Sequence, residues 1–116
     1  MRAGFIVTTL AIACCATPAA AHAFLQHADP GAGATVKASA THVALTFSEE
    51  LEPAFSGVAV TDSSGRSIAA GAVVIRGNSM AVPLRRLVPG NYRVVWHVVS
   101  VDTHRTEGAY SFTVKP

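Results

Sequence analysis

Cysteine is nearly missing from this sequence, and its two occurrences, Cys14 and Cys15, both fall inside one N-terminal apolar run. Methionine is as scarce: after Met1 only Met80 remains. Past the run, then, there is no thiol nucleophile, no disulfide framework and no soft thiolate set for Cu(I). Charged residues make up 14% and aromatic residues 7%. The basic residues are scattered, with only Arg85-Arg86 adjacent. This excludes the electrostatic footprint of a nucleic-acid binder and a polybasic membrane patch. A second apolar stretch of about 20 residues, as a membrane span needs, is also missing. No G-x-S-x-G elbow, phosphate loop or zinc-protease motif occurs.

What is present begins with an address. Met1-Arg2 is a short positive start, and residues 3 to 16, AGFIVTTLAIACCA, form an apolar run of signal-peptide length. Ala19 and Ala21 then satisfy the small-residue rule for cleavage after Ala21, which makes His22 the first mature residue. Ala21 and Ala23 satisfy it equally for a cut after Ala23, which discards that histidine. A lipid at Cys14 is a further alternative, although Ala11-Ile12-Ala13 lacks the leucine expected three positions upstream. The expected product is exported to the bacterial periplasm as one domain, residues 22–116. Removing 21 of 116 residues leaves 95, enough for one core and too few for two. Its net charge is +1 once Arg2 is gone, and nothing in it demands a dimer.

Val, Ile and Thr supply 23 of those 95 residues, whereas Glu, Lys and Leu together supply 11. β-Branched side chains suit a pleated, half-buried surface and lose rotamer freedom in a helix. Strands are predicted at Phe24–Ala28, His42–Phe47, Gly57–Asp62, Ala72–Ile75, Met80–Leu84, Asn91–Val101 and Ala109–Val114. Turn chemistry separates them at Asp29-Pro30-Gly31, Ser63-Ser64-Gly65, Gly77-Asn78 and Pro89-Gly90-Asn91. About seven short strands at this spacing predict an all-β Greek-key sandwich or small barrel. In "NYRVVWHVVSV", Tyr92, Val94, Trp96 and Val98 share one face, with Arg93 and His97 on the other. This strand should form a hairpin with "AYSFTV" through a polar loop at Asp102–Gly108.

That loop carries the chemistry. Asp102 and His104 are two apart, so in extended backbone they point the same way. Taken alone, an Asx turn beside an exposed histidine is the plainer reading of the pair. A histidine at the chain start changes the balance. Its amine and imidazole Nδ1 close a six-membered chelate, and His104 and Asp102 bring the donors to three nitrogens and one oxygen. In a square plane that set suits Cu(II), with Ni(II) next, whereas zinc prefers a tetrahedron.

At this point the chain resembles the CopC family of periplasmic copper-resistance proteins over nearly its whole mature length. The resemblance rests on "HAFLQHADPGAGA", "LTFSEELEPAFSGVAV" and "PGNYRVVWHVVSVDTHRTEGAYSFTV", with a W-x-V-x-S-x-D-x-H pattern. It implies a cupredoxin-like or immunoglobulin-like sandwich acting as a copper carrier or buffer, not an enzyme, with one Cu(II) on His22, Asp102 and His104. It also implies that Glu49 holds a ligand imidazole from behind; the plain alternative is a solvated acidic loop at Glu49, Glu50 and Glu52. A separately encoded CopD-type inner-membrane copper transporter is the implied partner. Better-known members carry a methionine-rich loop for Cu(I). The matching stretch here, "SSGRSIAAGAVVIRGNSM", holds only Met80, so no Cu(I) site is expected and Met80 should fill the core. Two other readings compete. One is a copper-dependent oxidative enzyme resembling lytic polysaccharide monooxygenases, which also chelate copper with a terminal histidine; the other is a metal-free structural sandwich. His27, His42 and His97 are expected at the surface, and Trp96 in the core.

Overall fold

The computed structural model describes Gly4 and residues 23–116. The expected signal peptide and His22 lie outside the described residues. Eight strands follow in order: β1 (Leu25–Asp29), β2 (Thr35–Val36), β3 (His42–Phe47), β4 (Gly57–Asp62), β5 (Val74–Arg76), β6 (Ser79–Pro83), β7 (Gly90–Val99) and β8 (Arg105–Val114). A single 3-10 turn, Pro53–Phe55, is the one helical element among the described residues. None of their helices is long and apolar enough to cross a membrane.

The strands form two four-stranded sheets, β1-β3-β6-β5 and β2-β8-β7-β4. The chain changes sheet after β1, β2, β3, β4 and β6, which gives a sandwich rather than two independent meanders. Pairing is antiparallel except for β2, which runs parallel to the end of β8 through Thr35↔Thr113 and Val36↔Val114. Apolar side chains alternate as the pleat requires. Val43, Leu45 and Phe47 of β3, with Met80 and Val82 of β6, face Tyr92, Val94, Trp96 and Val98 of β7 and Phe112 and Val114 of β8. All of these are buried. Phe47 and Trp96 meet edge to face across the sheets, with ring centroids 5.1 Å apart, while Tyr92 and Phe112 stack at 5.4 Å. The Tyr92 hydroxyl donates to the Val88 carbonyl (2.7 Å) and accepts from the Val88 N–H (3.1 Å), so this core tyrosine is satisfied at its polar tip.

The hairpin differs from the sequence expectation. β7 and β8 pair continuously from Gly90↔Val114 to Val99↔Arg105, so Glu107 and Gly108 belong to a strand rather than a loop. Gly108 sits opposite Trp96 because nothing larger fits: a Cβ there would lie 2.5 Å from Trp96 Cζ2. The true connection is confined to residues 100–104. It lies at the same end of the sandwich as residues 48–56 and the Gly77-Asn78 turn. Leu51 bridges Ser100, and the Leu51 N–H donates to the Gly77 carbonyl (2.9 Å).

Candidate metal centre

The 100–104 turn is held by a dense set of local bonds. The Ser100 N–H donates to the His104 carbonyl (3.0 Å) and the Thr103 N–H to the Ser100 carbonyl (2.8 Å). Closing the turn puts Thr103 at φ 74°, a left-handed conformation that β-branched residues rarely adopt. Ser100 is fully buried, and its hydroxyl donates a short hydrogen bond to Asp102 Oδ1. The same carboxylate oxygen lies 3.4 Å from the His104 backbone N–H. These contacts occupy Oδ1 and leave Oδ2 facing His104 Nδ1 at 3.4 Å. Both side chains are substantially open to solvent, at 39% for Asp102 and 48% for His104.

The Ser100 hydroxyl is also the main reason that the Asp102 carboxyl is held below the usual carboxylate range. Desolvation opposes it; the backbone N–H and imidazole of His104 assist. Asp102 is therefore an anion over all ordinary pH, with one oxygen fixed and one presented beside an imidazole.

Two further segments converge on this turn. Val101 N–H donates to the Glu50 carbonyl (3.1 Å) and Glu52 N–H to the Val99 carbonyl (2.8 Å), which lays residues 50–52 along residues 99–101. Glu49 lies half-buried at the head of that segment. The start of the described chain is stitched down as well. Phe24 exchanges bonds with Ser48, from its N–H to Oγ (2.8 Å) and from the Ser48 N–H to its carbonyl (2.8 Å). Thr106 Oγ1 donates to the Ala23 carbonyl (2.9 Å), and Ala23 is buried. Both polar atoms of the Ala23–Phe24 peptide are thus engaged by the fold.

Of the predicted site residues, Asp102 and His104 are brought together and Glu49 is placed in the adjoining segment. His22 lies outside the described residues. Among the described residues, no group of three His, Cys, Asp or Glu side chains is close enough to hold a metal ion. His27, His42 and His97 are exposed, as expected, and Met80 is buried in the core. Ser100 and Thr106, for which the sequence predicts no role, both hold this region together. The alternation Ser-x-Asp-x-His-x-Thr, four polar residues at a strand's period, was the available signal for both.

This end of the sandwich is acidic. Glu49, Glu50, Glu52 and Asp102 lie there with Arg76 and Arg105, whereas Lys37, Arg66, Arg85, Arg86 and Lys115, with Asp29 and Asp62, lie toward the opposite side.

Comparison with known proteins agrees with this architecture. A family model described as the CopC domain matches residues 25–115. Protein YobA of Escherichia coli K12 is 43% identical over 101 residues, covering 82% of this chain and 80% of that protein. The crystal structure of CopC from Methylosinus trichosporium OB3b superposes with a TM-score of 0.75 at 35% identity, covering 82% of this chain and 95% of the other. PcoC, a methionine-rich copper resistance protein from Escherichia coli, gives a TM-score of 0.70 at 37% identity, covering 82% of this chain and all of PcoC.

Proposed function

Because the chain belongs to the CopC family, we propose that it is a periplasmic protein that binds one Cu(II) ion and carries or buffers it. The donors in this reading are the terminal amine and imidazole of His22, the Asp102 carboxylate and the His104 imidazole. Glu49, at the head of the adjoining acidic segment, steadies a ligand imidazole. The reading depends on cleavage after Ala21.

The observation that carries it is the tie between Ala23 and Thr106. Residue 22 is bonded to a residue whose carbonyl is held by β8, two positions beyond His104. Ala23 itself is thereby held on β8 close to His104, which supports a donor set that includes the residue before it. The engaged Ala23–Phe24 peptide further favours the earlier cut, since the later one would remove a buried residue of the domain. The 3.4 Å gap between Asp102 Oδ2 and His104 Nδ1 exceeds an ordinary hydrogen bond. It lies within about half an ångström of the spacing of neighbouring donors bonded at ~2 Å to one metal ion.

The donors must be deprotonated, so affinity falls as pH falls. The hard N/O set also disfavours Cu(I), and reduction therefore releases the ion. With Met80 alone and buried, no second, soft copper site is expected. The protein is a carrier rather than an oxygenase, because Asp102 fills a coordination position that oxygen chemistry needs open. A separately encoded CopD-type membrane transporter is the natural recipient, and the carrier acts as a monomer.

The test is native mass spectrometry of the exported protein with one equivalent of Cu(II), followed by electron paramagnetic resonance. The expected species begins at His22, holds one copper and shows three coordinated nitrogens. A chain beginning at Phe24, or one carrying lipid at Cys14, sinks the reading.

A further inference from the structure

We infer that Thr106 is a positioning residue for the copper site: its hydroxyl fixes the N-terminal segment, and so half of the donor set, against the Asp102–His104 turn. The inference rests on the copper reading above and assigns within it a residue that binds no metal itself.

Three observations carry it. First, the bond from Thr106 Oγ1 to the Ala23 carbonyl joins residues 83 apart in sequence and spans the two sheets, from β8 to the segment entering β1. Ser48 also holds this segment, but from β3's own sheet and one residue further from residue 22. Thr106 is thus the side chain that ties the chain start to the strand following His104. Second, Ala23 is buried, so its carbonyl sits where water is a poor substitute partner. Third, Thr106 lies two residues beyond His104, the spacing that returns a side chain to the same side of an extended chain. One local stretch therefore supplies a proposed ligand and a clamp on the segment that carries the two proposed donors of His22.

A chelating terminus is only as effective as its placement. A free N-terminal histidine pays the ordering cost when the ion binds, and an anchor at the next residue lowers that cost. Outer partners that orient metal ligands typically cost about 10- to 100-fold in affinity when removed. The same range is expected here.

Thr106→Val removes the hydroxyl at nearly constant shape, and Thr106→Ser keeps it. For the mature protein we expect Thr106→Val to weaken Cu(II) binding about 10- to 100-fold in competition with a chelator. Its copper resonance spectrum should become heterogeneous, with fewer coordinated nitrogens, and Thr106→Ser should restore both. Backbone relaxation of Ala23 and Phe24 in the metal-free protein should show increased motion in Thr106→Val alone. A purely structural role would shift the melting temperature without altering the spectrum at saturating copper. Wild-type affinity and an unchanged three-nitrogen spectrum in Thr106→Val overturn this inference while the copper reading stands. A wild-type protein without a three-nitrogen spectrum overturns both. Should Thr106→Val fail to fold, Thr106→Ala and Thr106→Ser are compared instead, with the same spectrum deciding.

Discussion

Ser100 shows how one buried hydroxyl sets the chemistry of an exposed neighbour. It donates to Asp102 Oδ1 and lowers that carboxyl below its ordinary range, while the other oxygen stays toward His104. The folded-state value is depressed, so the stability gained is present above the unfolded carboxylate pKa and is lost as pH falls through the lower folded value. Urea unfolding of the metal-free protein should therefore weaken more steeply below about pH 4 in the wild type than in Asp102→Asn. Parallel curves for the two would refute the linkage. Thr103 contributes the opposite sign, since a β-branched residue at φ 74° costs on the order of 1–3 kcal/mol. The Ser100 and His104 backbone bonds hold it there.

At the scale of elements, the pattern of apolar residues was the legible part. β3 and β4 were bounded correctly because period-two alternation runs cleanly between turn residues, and the buried face of β7 was read residue by residue. β1 begins one residue later than expected, and β5 and β6 are shifted by one or two. β2 was missed, since two residues cannot show a period and its pairing is parallel to a distant strand. The β7–β8 hairpin continues through Glu107-Gly108, which belong to the expected polar loop in sequence but pair with His97 and Trp96 in the fold. The physical reason for that glycine lies on the facing strand, where the Trp96 ring occupies the space of its side chain. Of the candidate site, Asp102 and His104 were legible as a pair, but a turn through a left-handed Thr103 brings them together rather than extended backbone, and Ser100 and Thr106 make contacts that only folding creates. Gly108→Ala should destabilise by about 1–3 kcal/mol, as overpacking does, read as a lowered melting temperature. In a Trp96→Phe background the same substitution should cost clearly less. An equal loss in both backgrounds would mean that the Trp96 ring is not the obstacle.

For the whole molecule, two sheets closed over Phe47 and Trp96 make one sandwich whose ends differ. Strand order sends residues 48–56 and 99–104 to one end and residues 37–41, 84–90 and 115–116 to the other. Glu49, Glu50, Glu52 and Asp102 outnumber Arg76 and Arg105 at the first end, and Lys37, Arg66, Arg85, Arg86 and Lys115 outnumber Asp29 and Asp62 toward the second. The formal charge of +2 for the full chain therefore misrepresents what an approaching ion meets. A divalent cation is drawn along the strand axis toward the acidic end, and the protein rotates to present it. Capture of Cu(II) should accordingly slow as salt is added, although a positively charged protein would by its net charge alone repel the ion less and bind it faster. Stopped-flow association across a salt series separates the two, and an acceleration with salt would mean that the net charge governs the encounter. The fold is in this sense an antenna, with a gradient that matters before any ligand bond has formed.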